Sequence, residues 1–227
     1  MIERVPGAKM KKGKAFDELF SKNELRVFLR VDSPNKIQSF LDALPYSTGD
    51  RYRCPRSVLR DREGDCFDGA LFAAAALRRI GHPPLILNLL PNARDDDHVV
   101  ALYKRDGCWG AVAKSNFAGL RFREPIYRTL RELVMSYFEL YYNVMGEKTL
   151  RSYTVPLNLQ AFDHLNWMAS DEHLEVIARR LDKIRRIPLV TRRMAARLSL
   201  VDKRSYKAGL LGANIAGIYK PPRKGGR

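Results

Sequence analysis

Residues 64–81 read Gly64-Asp65-Cys66-Phe67-Asp68-Gly69-Ala70-Leu71-Phe72-Ala73-Ala74-Ala75-Ala76-Leu77-Arg78-Arg79-Ile80-Gly81. Asp65 is a good N-cap, and Gly81 followed by Pro83 is a good stop, so a helix is expected over Cys66 to Ile80. The span is nearly apolar on every side until Arg78-Arg79. A helix apolar all round belongs at the centre of a domain. The residues that follow supply a sheet to bury it. Pro84 to Leu90 (PLILNLL) reads as a buried strand and Asn92 to Asp97 as a polar turn. His98 to Lys104 (HVVALYK) is a strand rich in β-branched residues. Arg105-Asp106-Gly107 is a turn, and Cys108 to Ala113 is the returning strand. This succession predicts an α+β fold in which the Cys-bearing helix packs on an antiparallel sheet of residues 84–116.

The same stretch holds the candidate chemistry. A helix N-terminus presents unpaired N–H groups and a positive field, and both favour a thiolate. Cys66 lies just after the cap Asp65, in the first turn. Most free cysteines are buried and inert; a partner lifts Cys66 above that background. Of the four histidines, His98 alone opens a strand, where neutral imidazole can take a thiol proton. A third group should orient the imidazole. A three-residue loop at 105–107 pairs residue 98 with 114 and sets Asn116 diagonal to His98, about 7–8 Å away between backbones. A two-residue turn shifts the register by one and places Ser115 opposite His98. Asn116 is preferred, because its amide oxygen can accept the imidazole N–H. Phe67 and Trp109 are candidate substrate-binding residues, although aromatic residues beside a core helix more often pack.

Gly64-Asp65-Cys66 opening an Ala-rich helix, Arg79-Ile80-Gly81-His82-Pro83-Pro84 after it, Asp97-His98-Val99-Val100 at a strand start and Trp109 on the next strand together resemble the transglutaminase-like, papain-related core. The resemblance covers about a third of the chain, residues 50–120. It implies a Cys-His-Asp/Asn triad and acyl transfer through a thioester: hydrolysis, deamidation or transamidation of an amide or peptide bond. The family's usual aspartate would fall near Ala113, so Ser115 and Asn116 are the substitutes within Ala113-Lys114-Ser115-Asn116-Phe117. A catalytically inactive binding module of the same fold is the alternative.

The rest of the chain bounds this reading. With 227 residues and 45% hydrophobic content, it can bury a sizeable core. Three cysteines, Cys54, Cys66 and Cys108, make a poor disulfide framework and suit a reducing cytoplasm. No Cys-x-x-Cys pair exists, and Asp95-Asp96-Asp97 lacks a calcium-loop pattern, so no metal and no cofactor are expected. The basic N-terminus has no apolar core of the signal-peptide kind, and Gly69 to Leu77 is too short to span a bilayer. A helical arm (1–45, loose over 1–15), the core (46–165) and a basic helical extension (166–227) form the expected organisation. Helices are predicted over 15–20, 37–44, 124–143, 171–184 and 191–201, with a mobile tail at 220–227. The formal net charge is +16. Its densest part, Arg179 to Lys207, could dock nucleic acid or an acidic protein, and that binding role is the rival function.

Overall fold

The computed structural model describes residues 16–220. The loose arm expected over 1–15 and most of the expected tail, 221–227, lie outside the described residues.

Around the central segment the architecture follows the sequence. Helix α4 spans Cys66–Arg79, and Phe67 to Leu77 are buried without interruption. Before it come α1 (Lys22–Arg30), α2 (Pro34–Asp42) and α3 (Pro55–Asp61). After it come strands β1 (Leu85–Pro91), β2 (His98–Arg105) and β3 (Cys108–Val112). The chain continues through β4 (Arg123–Tyr127), α5 (Leu130–Phe138), β5 (Leu150–Thr154) and β6 (Leu157–Asn158). It ends with α6 (Leu174–Lys183), β7 (Arg186–Pro188), α7 (Arg192–Ala195) and α8 (Lys203–Gly209).

The strands form one antiparallel sheet in the order β4-β3-β2-β1-β5-β7, with β6 also pairing β1. Strand alternation divides the core in two. Ile86, Val99, Ala101, Tyr103 and Val112 face α4 and the N-terminal helices. Leu87, Leu89, Val100, Leu102 and Ala111 face α5. Burial on both sides explains why β1 reads as a continuous apolar run rather than an alternating one. The fold is thus α+β, with the Cys-bearing helix on the sheet. Among the described residues no helix is long and apolar enough to cross a membrane.

Two local expectations are corrected. The β2–β3 connection is the two-residue turn Asp106-Gly107, with φ of 51° and 78°. Arg105 pairs with Cys108 and Ala101 with Val112. Two successive left-handed residues match the twist of a hairpin, and Asp-Gly suits them. The register therefore runs one residue away from the three-residue-loop expectation. The helix expected over 124–143 is split into β4 and α5. Pro125 sits on the sheet's edge, where a missing N–H breaks no ladder, and Thr129 restarts the chain as a helix by accepting from the Glu132 N–H at 3.1 Å.

Candidate active site

Local chemistry fixes the start of α4. The Asp65 carboxylate accepts from the Asp68 N–H at 2.9 Å, and the Asp68 carboxylate accepts from the Asp65 N–H at 3.3 Å. This reciprocal cap satisfies two first-turn donors. Asp68 is fully buried and also accepts from the Arg53 N–H at 2.6 Å. The Arg53 guanidinium, 7% exposed, donates to Ser47 Oγ at 3.0 Å and pairs with Asp61, Glu63 and Asp68. Burial and the nearby Asp65 push the Asp68 carboxyl up to about 7. The turn bearing Cys66 is therefore braced by an ionic cluster rather than by apolar packing.

Cys66 is half-buried as a residue, but its thiol lies deep. Burial first, then the carboxylates of Asp65 and Asp97, push the thiol well above its ordinary range, while hydrogen bonding from the Val99 backbone works the other way. The Tyr46 hydroxyl, raised by burial first and then by the nearby Cys66, lies close to the same sulfur. Tyr46 is brought there by a short parallel bridge to Gly64, in which Ser47 N donates to Gly64 O at 3.1 Å.

His98 opens β2, one residue before Val99, and is 5% exposed. Its Nε2 is 2.7 Å from the carbonyl oxygen of Leu120. A carbonyl can only accept, so in the neutral ring the proton sits on Nε2 and Nδ1 keeps its lone pair. Burial, reinforced by the charge of Arg123, lowers the imidazole to about 4 despite the Leu120 bond. Thiol and imidazole are therefore both neutral at rest. By strand alternation the His98 side chain shares the α5 side of the sheet with Val100 and Leu102, while Val99 faces α4, and no hydrogen bond joins thiol and imidazole among the described residues.

No hydrogen bond joins Asn116 to His98 among the described residues, although both line one cavity. The Nδ2 of Asn116 donates to Asn214 O at 2.8 Å, and its Oδ1 accepts from Asn214 N at 2.7 Å. The orienting acceptor is a main-chain oxygen, which no side-chain pattern could have announced. Ser115, which the two-residue turn extrapolates to the position opposite His98, caps its own loop by accepting from Phe117 N at 3.0 Å. Trp109 is also displaced. It pairs with Lys104 at the far end of the hairpin, about 20 Å along the strand from His98, and Lys104 Nζ sits 4.3 Å from its ring centre. Phe67 adjoins Cys66, but its ring is buried against Tyr52 at 4.9 Å, so it packs the core.

The acidic run Asp95-Asp96-Asp97 borders the site. Asp97 accepts from Asn88 Nδ2, and Asp95 accepts from Thr149 Oγ1 at 2.5 Å. Burial raises all three carboxyls, Asp95 to about 6. Among the described residues no group of three or more His, Cys, Asp or Glu side chains could hold a metal ion. The cysteines are far apart in role: Cys54 caps α3, Cys66 begins α4 and Cys108 closes the hairpin.

Three cavities meet here. One of about 60 Å³ is lined by His98, Asp97, Leu120, Tyr46, Asn116 and Gly217. A second, of about 420 Å³, lies between Tyr46, Tyr52, Asp65 and residues 216–219. A third, of about 350 Å³, lies between Tyr46, Lys114, Asn116 and residues 211–214. Tyr46 was invisible to sequence reasoning, since it sits in a loop without motif or periodicity.

No family model matches the sequence, and no curated protein does. Among solved structures, three of LapG from Legionella pneumophila overlap part of the chain. One, and a second treated with EGTA, align at a TM-score of 0.30 and 20% identity; a calcium-bound one aligns at 0.29 and 21%. Each covers 44% of this chain, and 58%, 56% and 57% of the LapG chains respectively. The chain thus matches little more than half the length of these LapG structures. At that score the overlap carries no argument, and the chemistry rests on this chain's own residues.

Proposed function

We propose that this protein is a cysteine-dependent acyl-transfer enzyme acting on an amide or peptide bond, with Cys66 as nucleophile and His98 as base. The observation that carries the reading is the 2.7 Å contact of His98 Nε2 with Leu120 O. It commits the ring's one proton to a fixed acceptor and leaves the Nδ1 lone pair free at the strand start that brings the Val99 backbone to the thiol. Nδ1 takes the thiol proton as sulfur adds to the substrate carbonyl. The tetrahedral oxyanion forms beside the Cys66 backbone N–H, a first-turn donor free of intrahelical bonding. Collapse breaks the C–N bond, and the imidazolium gives its proton to the departing amine. Water or a second amine then attacks the thioester, losing a proton to Nδ1, and the thiol is restored.

Thiol alkylation against pH tests the pair. Wild type, Cys66→Ala and His98→Ala are treated with a small electrophile. One reactive thiol should vanish in Cys66→Ala and slow by about tenfold or more in His98→Ala, as expected for a thiol activated by its base. If Cys66 reacts equally fast with and without the imidazole, there is no catalytic pair, and the fold serves binding instead.

A further inference from the structure

The segment after α8 lies at the mouth of the candidate site. Asn214 is the hub: its main chain exchanges two hydrogen bonds with the Asn116 side chain, and its Nδ2 donates to Tyr46 O at 3.1 Å. Its Oδ1 accepts from Ala216 N at 3.2 Å, turning the chain through Ile215–Gly217. Gly217 then passes so close to Tyr46 that a Cβ there would lie 3.0 Å from Tyr46 Cδ1 and 3.2 Å from Thr48 Cγ2. Each of the three cavities at the site is walled by Tyr46 and by residues of 211–219. The segment and Tyr46 together partition what would otherwise be one groove.

The way the segment is held matters as much as its place. Leu211 is 81% exposed and Ile215 65%. Neither of these two side chains is an anchor, and a piece of chain that buries little apolar surface opens at low free energy. Yet the contacts it makes are specific and converge on Tyr46, beside the Cys66 turn.

We propose that residues 211–219 are an autoinhibitory strap, which packs on Tyr46 and closes the groove beside Cys66 until a substrate or partner displaces it. This rests on the proposed role of Cys66 for its biological meaning, but not for its test. Lifting the strap removes the Asn214 bond to the Tyr46 carbonyl and the Gly217 contact with its ring, and takes one wall from each of the three cavities beside the Cys66 turn, while the Gly64 bridge stays in place.

The test uses the full chain. Asn214→Ala removes the hub side chain, and Gly217→Leu forces a side chain against Tyr46 and Thr48. Alkylation of Cys66 by iodoacetamide should be faster by about tenfold or more in the double variant than in wild type, since thiol reactivity follows access as well as ionisation. A synthetic peptide of residues 210–220 added to the double variant should slow it again. Rates within about twofold of wild type, or no effect of the peptide, would overturn the strap. The same comparison in a His98→Ala background separates the two ideas. An acceleration that persists there upholds the strap whatever becomes of the acyl-transfer reading, and an imidazole without influence on Cys66 sinks only that reading.

Discussion

His98 is a base held neutral by its surroundings, and this has a consequence for stability. Folding lowers its pKa from the ordinary 6.5 to about 4, chiefly through burial. As pH falls, the unfolded chain therefore takes up the proton first. The contribution is fully present above about 6.5 and is lost as pH falls toward 4, amounting to about 2 kcal/mol at pH 5. The buried carboxylates act with the opposite sign. Asp68, raised to about 7, and Asp95, raised to about 6, favour folding at low pH and lose that effect as pH rises through those values. The net profile mixes both, so the difference between two chains is the informative quantity. On going from pH 7 to pH 5 the urea midpoint should shift further toward stability in His98→Gln than in wild type, by the share that His98 carries. An unchanged difference would mean the imidazole is not buried as described.

At the scale of elements, α4 is pressed against the sheet and the loop after β3. A Cβ on Gly69 would overlap the Lys114 side chain. That lysine is 5% exposed and cannot swing away freely, because its Nζ donates to Leu41 O at 2.9 Å and also to Leu44 O. Burial lowers the lysine to about 8. Helix propensity alone would make Gly69→Ala stabilising by up to about 1 kcal/mol. Overpacking of a tight contact costs about 1–3 kcal/mol, and here it should win. Thermal melting of Gly69→Ala is expected below wild type, and a rise would show that the α4 contact is loose. Element starts were more legible than element ends. Asp65 announced α4, whereas Pro125 inside an apolar periodic stretch concealed the edge strand β4.

For the whole molecule, the basic C-terminal region is joined to the same core as the site. β7 pairs with β5, Leu189 N donates to Arg151 O at 2.9 Å, and the Leu189 side chain is 3% exposed in the cluster around α5. Helix α6 buries Leu174, Ile177 and Leu181 in the opposite cluster and leaves its arginines on an exposed face. Residues 166–209 should therefore unfold with the core. Leu189→Ala is expected to cost about 2–4 kcal/mol, with one cooperative urea transition moved as a whole. A main transition left in place, with a separate early one, would mark the extension as an independent module.

The sequence by itself determined the central helix, its cap and stop, the strands on either side of His98 and hence the α+β class. These are local signals: capping groups, breaker residues and runs of apolar side chains act within a few residues of one another. Only the tertiary structure decided the rest of the site. The acceptor for His98 is a carbonyl that every residue possesses, so its identity depends on where Leu120 is carried and not on what Leu120 is. Tyr46 reaches Cys66 because a loop bridges to Gly64, and Asn116 is claimed by Asn214, 98 residues further along the chain. Such partners are selected by packing across long separations, which neither periodicity nor spacing records.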